Sequence, residues 1–374
     1  MFTQICDRLG IDIPIFAFSH CRDVVAAVSG AGGFGVLGAT AHSPGSLEID
    51  LAWIDDQVGG KPYGVDLLLP AKFADVGPAT GDDSEERLPI PPEHEAFLAD
   101  LLARYDVPPL PEHLTRRGRG LSVSAEAAGG LLDVAFRHPI RLVASALGPP
   151  PPELTEQAHA RGIVVAALVG NVEHARRQQA AGVDLIVAQG TEAGGHTGTV
   201  STMVLVPEVV RAVSPTPVLA AGGIVTGAQM AAAIALGAQG VWCGSVWLTT
   251  QEAETDPAVQ RKMLSASSSD TVRSRSLTGK PARMLRSAWT DEWDSPAAPP
   301  ALQMPLQTIL TAPAQQRVSR AAGREGSGAQ QLATYFVGQG VGLMDRVRPA
   351  REVVADMVAE YLDVAGRFAA QLED

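Results

Sequence analysis

The chain has 374 residues, 46% of them hydrophobic and 19% charged, enough apolar material for one large domain or two of ordinary size. A formal net charge of −12 argues against sequence-independent nucleic-acid binding, which needs many cations facing phosphates, and against docking on an anionic membrane. The three cysteines, Cys6, Cys21 and Cys243, lie far apart with no CxxC pair, so neither a disulfide framework nor a cysteine zinc site is expected.

The segment MFTQICDRLG has no basic region followed by an apolar core, so no signal peptide is expected and a reducing cytoplasm is the expected compartment. From there the dominant pattern is a short apolar run, a glycine-rich turn and an alanine-rich amphipathic stretch. Ile13–Phe18 reads as a strand and Arg22–Ser29 as a helix ended by Gly30. Gly35–Gly38 is the next strand, Leu47–Val58 the next helix, and Tyr63–Leu69 a third strand suited to a sheet buried on both faces. Residues 71–140 break the pattern with polar Pro/Gly stretches, as an insertion or lid does, around helices at His94–Tyr105 and Ala125–Phe136.

The alternation then resumes. Strands are expected at Arg141–Leu147, Ile163–Val169, Asp184–Ala188, Val218–Ala221 and Gly240–Val246. Helices are expected at Glu153–Arg161, Val172–Ala181, Pro207–Val213, Thr226–Leu236 and Thr249–Leu264. The apolar stretch Met230–Leu248 is broken by Gly237, Gln239, Gly240 and Gly244, and reads as helix, turn and strand rather than a membrane span.

Eight strand–helix units predict an α/β fold, a (β/α)8 TIM barrel formed by residues 1–70 and 141–264, with an insertion after strand 3 at 71–140. A doubly wound open sheet is the competing architecture. Residues 265–374 read as a C-terminal helical lid region laid across one end of the barrel. It ends in an amphipathic helix, Ala350–Leu372, whose apolar face serves either that lid or a homodimer contact.

In such a barrel the chemistry sits at the C-terminal ends of the strands. Gly222-Gly223 after the seventh strand, with Thr226 placed to cap the next helix, and Gly244-Ser245 after the eighth offer a phosphate several backbone N–H groups. Tight turns alone are the competing reading. The loop Gln189-Gly190-Thr191-Glu192-Ala193-Gly194-Gly195-His196-Thr197-Gly198 can wrap a flat ligand. His196 there is either a general base or cation beside a substrate, or a plain surface histidine. Glu192 reads as a hydrogen-bond acceptor behind the site or a solvated charge. Asp66, polar within an apolar strand, bonds either a ligand or a neighbouring backbone group. No HExxH, HxH, HxxxH, GxxxxGK[ST] or GxSxG pattern occurs, so no metal site is expected.

The segments AAVSGAGGFGVLG (26–38), PYGVDLLLP (62–70), AQGTEAGGHTG (188–198), VLAAGGIVTGAQMAAAIALGAQGVWCGS (218–245) and TGKPAR (278–283) together resemble the nitronate monooxygenases, formerly 2-nitropropane dioxygenases, relatives of the flavin enoyl-thioester reductases. The resemblance spans about residues 10–290. It implies an FMN enzyme in which Gln189, Gly194 and Gly195 contact the flavin, Gly222, Gly223, Gly244 and Ser245 hold its phosphate, and His196 is catalytic. The backbone of Ala17, Phe18 and Ser19, and Asp66, would lie by the ring. Two departures stand out. Ala17-Phe18-Ser19-His20 replaces the family's Pro-Met element, and Asp66 stands where the family has Asn. A carboxylate there would oppose an anionic reduced flavin by like charge. The implied reaction is oxidation of an alkyl nitronate by O2 to a carbonyl compound and nitrite. The alternatives are an FMN-dependent NAD(P)H reductase of an enoyl thioester or quinone, and a flavin-binding protein without turnover.

Overall fold

The computed structural model describes residues 3–67, 90–110, 125–145 and 148–373. Its parallel strands are β1 (Ile15–Ser19), β2 (Phe34–Gly38), β3 (Tyr63–Leu67), β4 (Leu142–Ser145), β5 (Val164–Val169) and β6 (Leu185–Gln189). After a two-residue strand outside the barrel, β7 (Gly195–His196), come β8 (Val218–Ala221) and β9 (Gly240–Cys243). The eight barrel strands pair in sequence, and β9 returns to β1 with Ala17 opposite Cys243, which excludes the open sheet. The ends of the expected strands at 68–69 and 146–147, and residues 71–89 and 111–124 of the insertion, lie outside the described residues.

The strands are apolar on both sides because both sides are covered. Phe16, Phe34, Val36, Leu142, Ala144, Val164, Ala166, Leu185, Val187, Leu219, Ala221 and Trp242 fill the inside. Three alanines among three large aromatics keep that volume filled without crowding. A short helix, α1 (Gln4–Leu9), adds Ile5, Cys6 and Leu9 to the same cluster and closes the N-terminal end. The alternate residues, such as Ala17, Leu37, Val65 and Ile186, face the helices.

Those helices are α2 (Arg22–Gly30), α3 (Pro44–Gln57), α4 (Pro92–Arg104), α5 (Ala125–Ala135), α6 (Pro152–Ala160), α7 (Val172–Ala180), α8 (Thr202–Val213) and α9 (Gly227–Ala235). Helix α8 starts five residues earlier than expected. Pro207 lies within it and forfeits only the bond to the carbonyl of Met203, an exposed residue that water can serve. The last barrel strand stops at Cys243 rather than Val246, and Ser245–Thr249 turn as a 3-10 helix. Of the helix expected over 249–264, only α10 (Pro257–Ser265) forms, started by Pro257 and by the Asp256 carboxylate accepting the Ala258 N–H at 2.8 Å.

Beyond α10 the chain forms β10 (Thr271–Ser274), β11 (Ala282–Leu285), α11 (Ala288–Trp293), α12 (Leu306–Ala322), α13 (Ala329–Leu332) and α14 (Ala350–Glu373). β10, β11 and β7 make a small antiparallel sheet. The final helix does not lie across one end of the barrel as expected. Its buried stripe of Val353, Val354 and Met357 seats it against α9 and α2 in the outer ring, where the eighth barrel helix belongs. Glu360 fixes the contact by accepting the Gly227 N–H at 2.8 Å. None of the helices among the described residues is long and apolar enough to cross a membrane.

Candidate active site

Strand alternation decides what faces the barrel mouth. Phe18 continues the inner face of β1 and packs on the interior cluster. Asp66 shares its parity with inner Gly64, and Gln189 with Leu185 and Val187, so both point into the mouth. Trp242 stacks on Phe16 (6.1 Å, 13°) and on Phe18 (6.4 Å, 24°) and gives the mouth a flat aromatic floor. Ala17 and Ser19 face the other way. Ala17 is buried among the helices, and the Ser19 hydroxyl accepts the Cys21 N–H at 3.1 Å, so of these two only the backbone can border the mouth.

Asp66 is buried and, among the described residues, its carboxylate has no hydrogen-bond partner. Loss of hydration pushes its pKa up to about 7. A carboxyl raised from an unfolded value near ~3.9 keeps its proton in the folded protein. Its contribution to stability is therefore fullest below pH ~4 and is lost as pH rises toward 7. Asp66→Asn is expected to gain on the unsubstituted apoprotein by more than about 1 kcal/mol between pH 5 and pH 8, read from urea midpoints.

Two glycine turns gather beside this floor. The ladder sets Ala221 against Trp242, so Gly222-Gly223 after β8 and Gly244-Ser245 after β9 emerge side by side. Gly222 and Gly223 have φ of +113° and +72°, conformations that side chains resist. Gln229 braces the turn, accepting the Val225 N–H at 2.8 Å and donating to the Gly223 carbonyl at 2.8 Å. Thr226 caps α9 as expected. Glu192 is the structural acceptor rather than a solvated charge: its carboxylate takes the Thr202 N–H and hydroxyl at 2.9 Å. Among the described residues the N–H groups of Gly223, Ile224 and Gly244 have no protein acceptor. A Cβ built on Gly244 would meet no atom within 4 Å. Open space in front of unengaged N–H groups fits a phosphate. A cavity of about 320 Å3 adjoins the turn on its helical side, lined by Gly223, Gln229, Leu236, Gln339 and Leu343 among others.

One contributor escaped the sequence reading. Val337-Gly338-Gln339-Gly340-Val341-Gly342 threads across these turns: Gly338 N–H donates to Ser245 Oγ and Gln339 N–H to the Glu192 carbonyl, both at 2.8 Å. A side chain at Gly338 would strike the Glu192 carbonyl, and one at Gly340 the Gly223 carbonyl. Glycine at every second position was the available signal.

The histidine loop is held, not loose. Gly195 and His196 pair with Arg283 and Ala282 of β11. Arg283 Nε donates to the Thr191 carbonyl at 2.9 Å and an Arg273 terminal nitrogen donates to the Thr197 carbonyl at 3.1 Å. Gly194 passes so close to Val337 that a Cβ would lie 2.9 Å from its backbone. His196 Nδ1 is 3.2 Å from the Pro281 carbonyl, which can only accept, so Nδ1 carries the proton and Nε2 is left for a ligand. The ring is open on one side, with Phe336 at 6.3 Å, yet partial loss of hydration, and then Lys280, lower its pKa.

The structure thus brings Phe18, Asp66 and Gln189 into one mouth, gathers Gly222, Gly223, Gly244 and Ser245 at one edge of it, and fixes Gly194, Gly195 and His196 on the loop after β6, where β7 pairs with β11. A family model described as nitronate monooxygenase matches residues 14–360. A Mycobacterium tuberculosis protein that bears a provisional monooxygenase name is 63% identical, over 98% of both chains. Among solved structures, a nitroalkane oxidase from Streptomyces ansochromogenes superposes with a TM-score of 0.77 at 27% identity, covering 97% of this chain and 99% of that one. FabK from Thermotoga maritima does so with a TM-score of 0.74 at 27% identity, covering 99% of each.

Proposed function

Because the chain belongs to the nitronate monooxygenase family, we propose that it binds FMN and oxidises alkyl nitronates with O2 to a carbonyl compound and nitrite. What supports this reading is a glycine cradle beside an aromatic floor at the barrel mouth, with His196 carried by the loop that follows β6.

In this reading the N–H groups at Gly222, Gly223, Gly244 and Ser245 hold the phosphate, with the Ser245 hydroxyl oriented by Gly338. The backbone of Ala17–Ser19, with Asp66, Gln189, Gly194 and Gly195, would hold the flavin ring. Bound FMN supplies the redox chemistry, accepting electrons from the substrate and passing them to O2. The protein supplies position and field. His196 becomes a cation when an anionic substrate draws a proton onto Nε2, while Nδ1 stays on the Pro281 carbonyl. Residues 1–70 and 141–264 form the cofactor barrel, 71–140 is an insertion, and the part of 265–374 ahead of α14 covers the mouth.

The likeness to FabK favours a second reading, an NAD(P)H-dependent reductase of an enoyl thioester or quinone on the same flavin. One set of assays separates them. The purified protein is expected to show a flavin absorbance spectrum, to consume O2 with a nitronate and to release nitrite. NADH oxidation with an enoyl thioester or quinone, and no nitrite, would favour the reductase. Bound flavin with neither response would leave a carrier.

A further inference from the structure

Asp66 tops the inner face of the barrel at its mouth. The ladder sets it between Gly38 of β2 and Ala144 of β4, and Ala144 belongs to the interior cluster. Only 6% of the residue is exposed, and among the described residues its carboxyl has no hydrogen-bond partner and no ion pair. Gly38 and Ala144 offer no titratable side chain, and Gln189, also directed into the mouth, carries no charge. Beyond Gly38 lies the His20 ring, 2.7 Å from where a Cβ on Gly38 would stand. Burial, and then His42, lower the pKa of that ring, so it is uncharged from pH 7 upward. A carboxylate withdrawn from water with no cation to offset it is costly, so the folded chain keeps a proton on this group. Such a buried polar group also costs free energy until a ligand supplies its partner.

The proton decides what Asp66 can do. An ionised carboxylate only accepts hydrogen bonds, a neutral one donates its O–H, and an asparagine amide does either. The edge of a flavin ring presents carbonyl oxygens and bare ring nitrogens, all acceptors, and a single N–H. A neutral acid therefore matches most of that edge. A carboxylate would match only the N–H, and would repel the negative charge that reduction brings.

We propose that Asp66 meets the flavin as a neutral acid, donating its O–H to an acceptor atom of the ring, so that the mouth binds the cofactor tightly only while this proton is in place. The inference rests on the FMN part of the function proposed above. In the apoprotein the carboxyl loses its proton at about pH 7. Above that pH, binding must take up a proton from solvent, and affinity falls as pH rises. Asp66 thus puts a donor that pH can switch off where an asparagine would put a permanent one. The like-charge conflict that the residue type suggests does not arise in the loaded protein.

The test titrates the apoprotein with FMN, followed by flavin fluorescence, at pH 6 and at pH 9. Asp66→Asn is titrated beside it, which cancels the ionisation of the FMN phosphate. The ratio of the Kd of the unsubstituted protein to that of the variant is expected to rise about 100-fold between the two pH values. Calorimetry at pH 8 in buffers of different ionisation enthalpy gives a second readout that needs no variant: binding is expected to take up about one proton per FMN. A level ratio would overturn the proposal, and so would a ratio that falls with pH, the result expected if an ionised Asp66 accepted the ring N–H. Binding without proton uptake would overturn it as well. If FMN binds in any of these ways, the inference falls and the FMN reading stands. If FMN binds at neither pH, both fall.

Discussion

His196→Asn is expected to lower kcat/KM for a nitronate by about 10²–10⁴-fold while flavin affinity stays within about threefold. The separation follows from how the loop is held. β7 pairs with β11 through the backbone, Arg283 and Arg273 grip the carbonyls of Thr191 and Thr197, and Gly194 packs on Val337, none of which uses the imidazole. An asparagine amide can still donate to the Pro281 carbonyl, but it cannot carry the second proton that faces an anion. Stopped mixing with a nitronate, followed at the flavin absorbance, reads the loss directly. The pH dependence sharpens it. The pKa of His196 lies below its ordinary value in the free protein, so the cation becomes scarcer as pH rises. For the unsubstituted protein kcat/KM for the nitronate is expected to be higher at pH 6 than at pH 8, and the variant is expected to lose that fall. Equal turnover by the asparagine variant would remove His196 from the chemistry.

The barrel was legible because its strands are short apolar runs spaced by glycine turns and alanine-rich helices, a pattern set by burial on both faces. The tail was legible only in its last helix, Ala350–Glu373, and α12 shows why. Gln307 and Thr311 occupy core positions on its buried face, so the stripe reads as polar. Gln307 is satisfied there by the Ser276 carbonyl and the Leu302 N–H, and Thr311 by the Leu277 carbonyl. The two carbonyl pairings join residues 31 and 34 positions apart, and hydrophobic periodicity carries no trace of them. The same holds for β7. Two residues have no period, and Gly195-His196 becomes a strand only because β11 lies beside it. Within the site, the glycine turns and His196 could be picked out by local chemistry, since backbone freedom is written in residue type. The edge-to-face packing of His20 on Phe18 could not. It depends on Gly38 being bare eighteen residues later on the neighbouring strand, which parity and pairing reveal and sequence order hides.

Gly244→Val is expected to weaken FMN binding by 100-fold or more without changing the stability of the apoprotein, whereas Gly223→Val should damage both. The two glycines border the same space for different reasons. Gly223 has φ of +72° and a Cβ there would lie 3.1 Å from the Glu192 side chain, so a branched residue must distort the turn in the empty protein. Gly244 has φ of −121°, which valine adopts, and a Cβ would touch nothing. Its emptiness has no structural use in the folded chain alone; it matters only if something else fills it. A phosphate held by two or three charge-assisted hydrogen bonds, each contributing about 1.5–3 kcal/mol, would lose at least about 2.7 kcal/mol when pushed off its donors, which is the stated 100-fold. Fluorescence titration of the apoprotein with FMN measures the affinity, and urea unfolding without cofactor measures the stability. Because the substitution is silent in the empty protein, a loss of affinity assigns the space to the ligand, and an unchanged affinity would move the phosphate away from the end of β9 altogether.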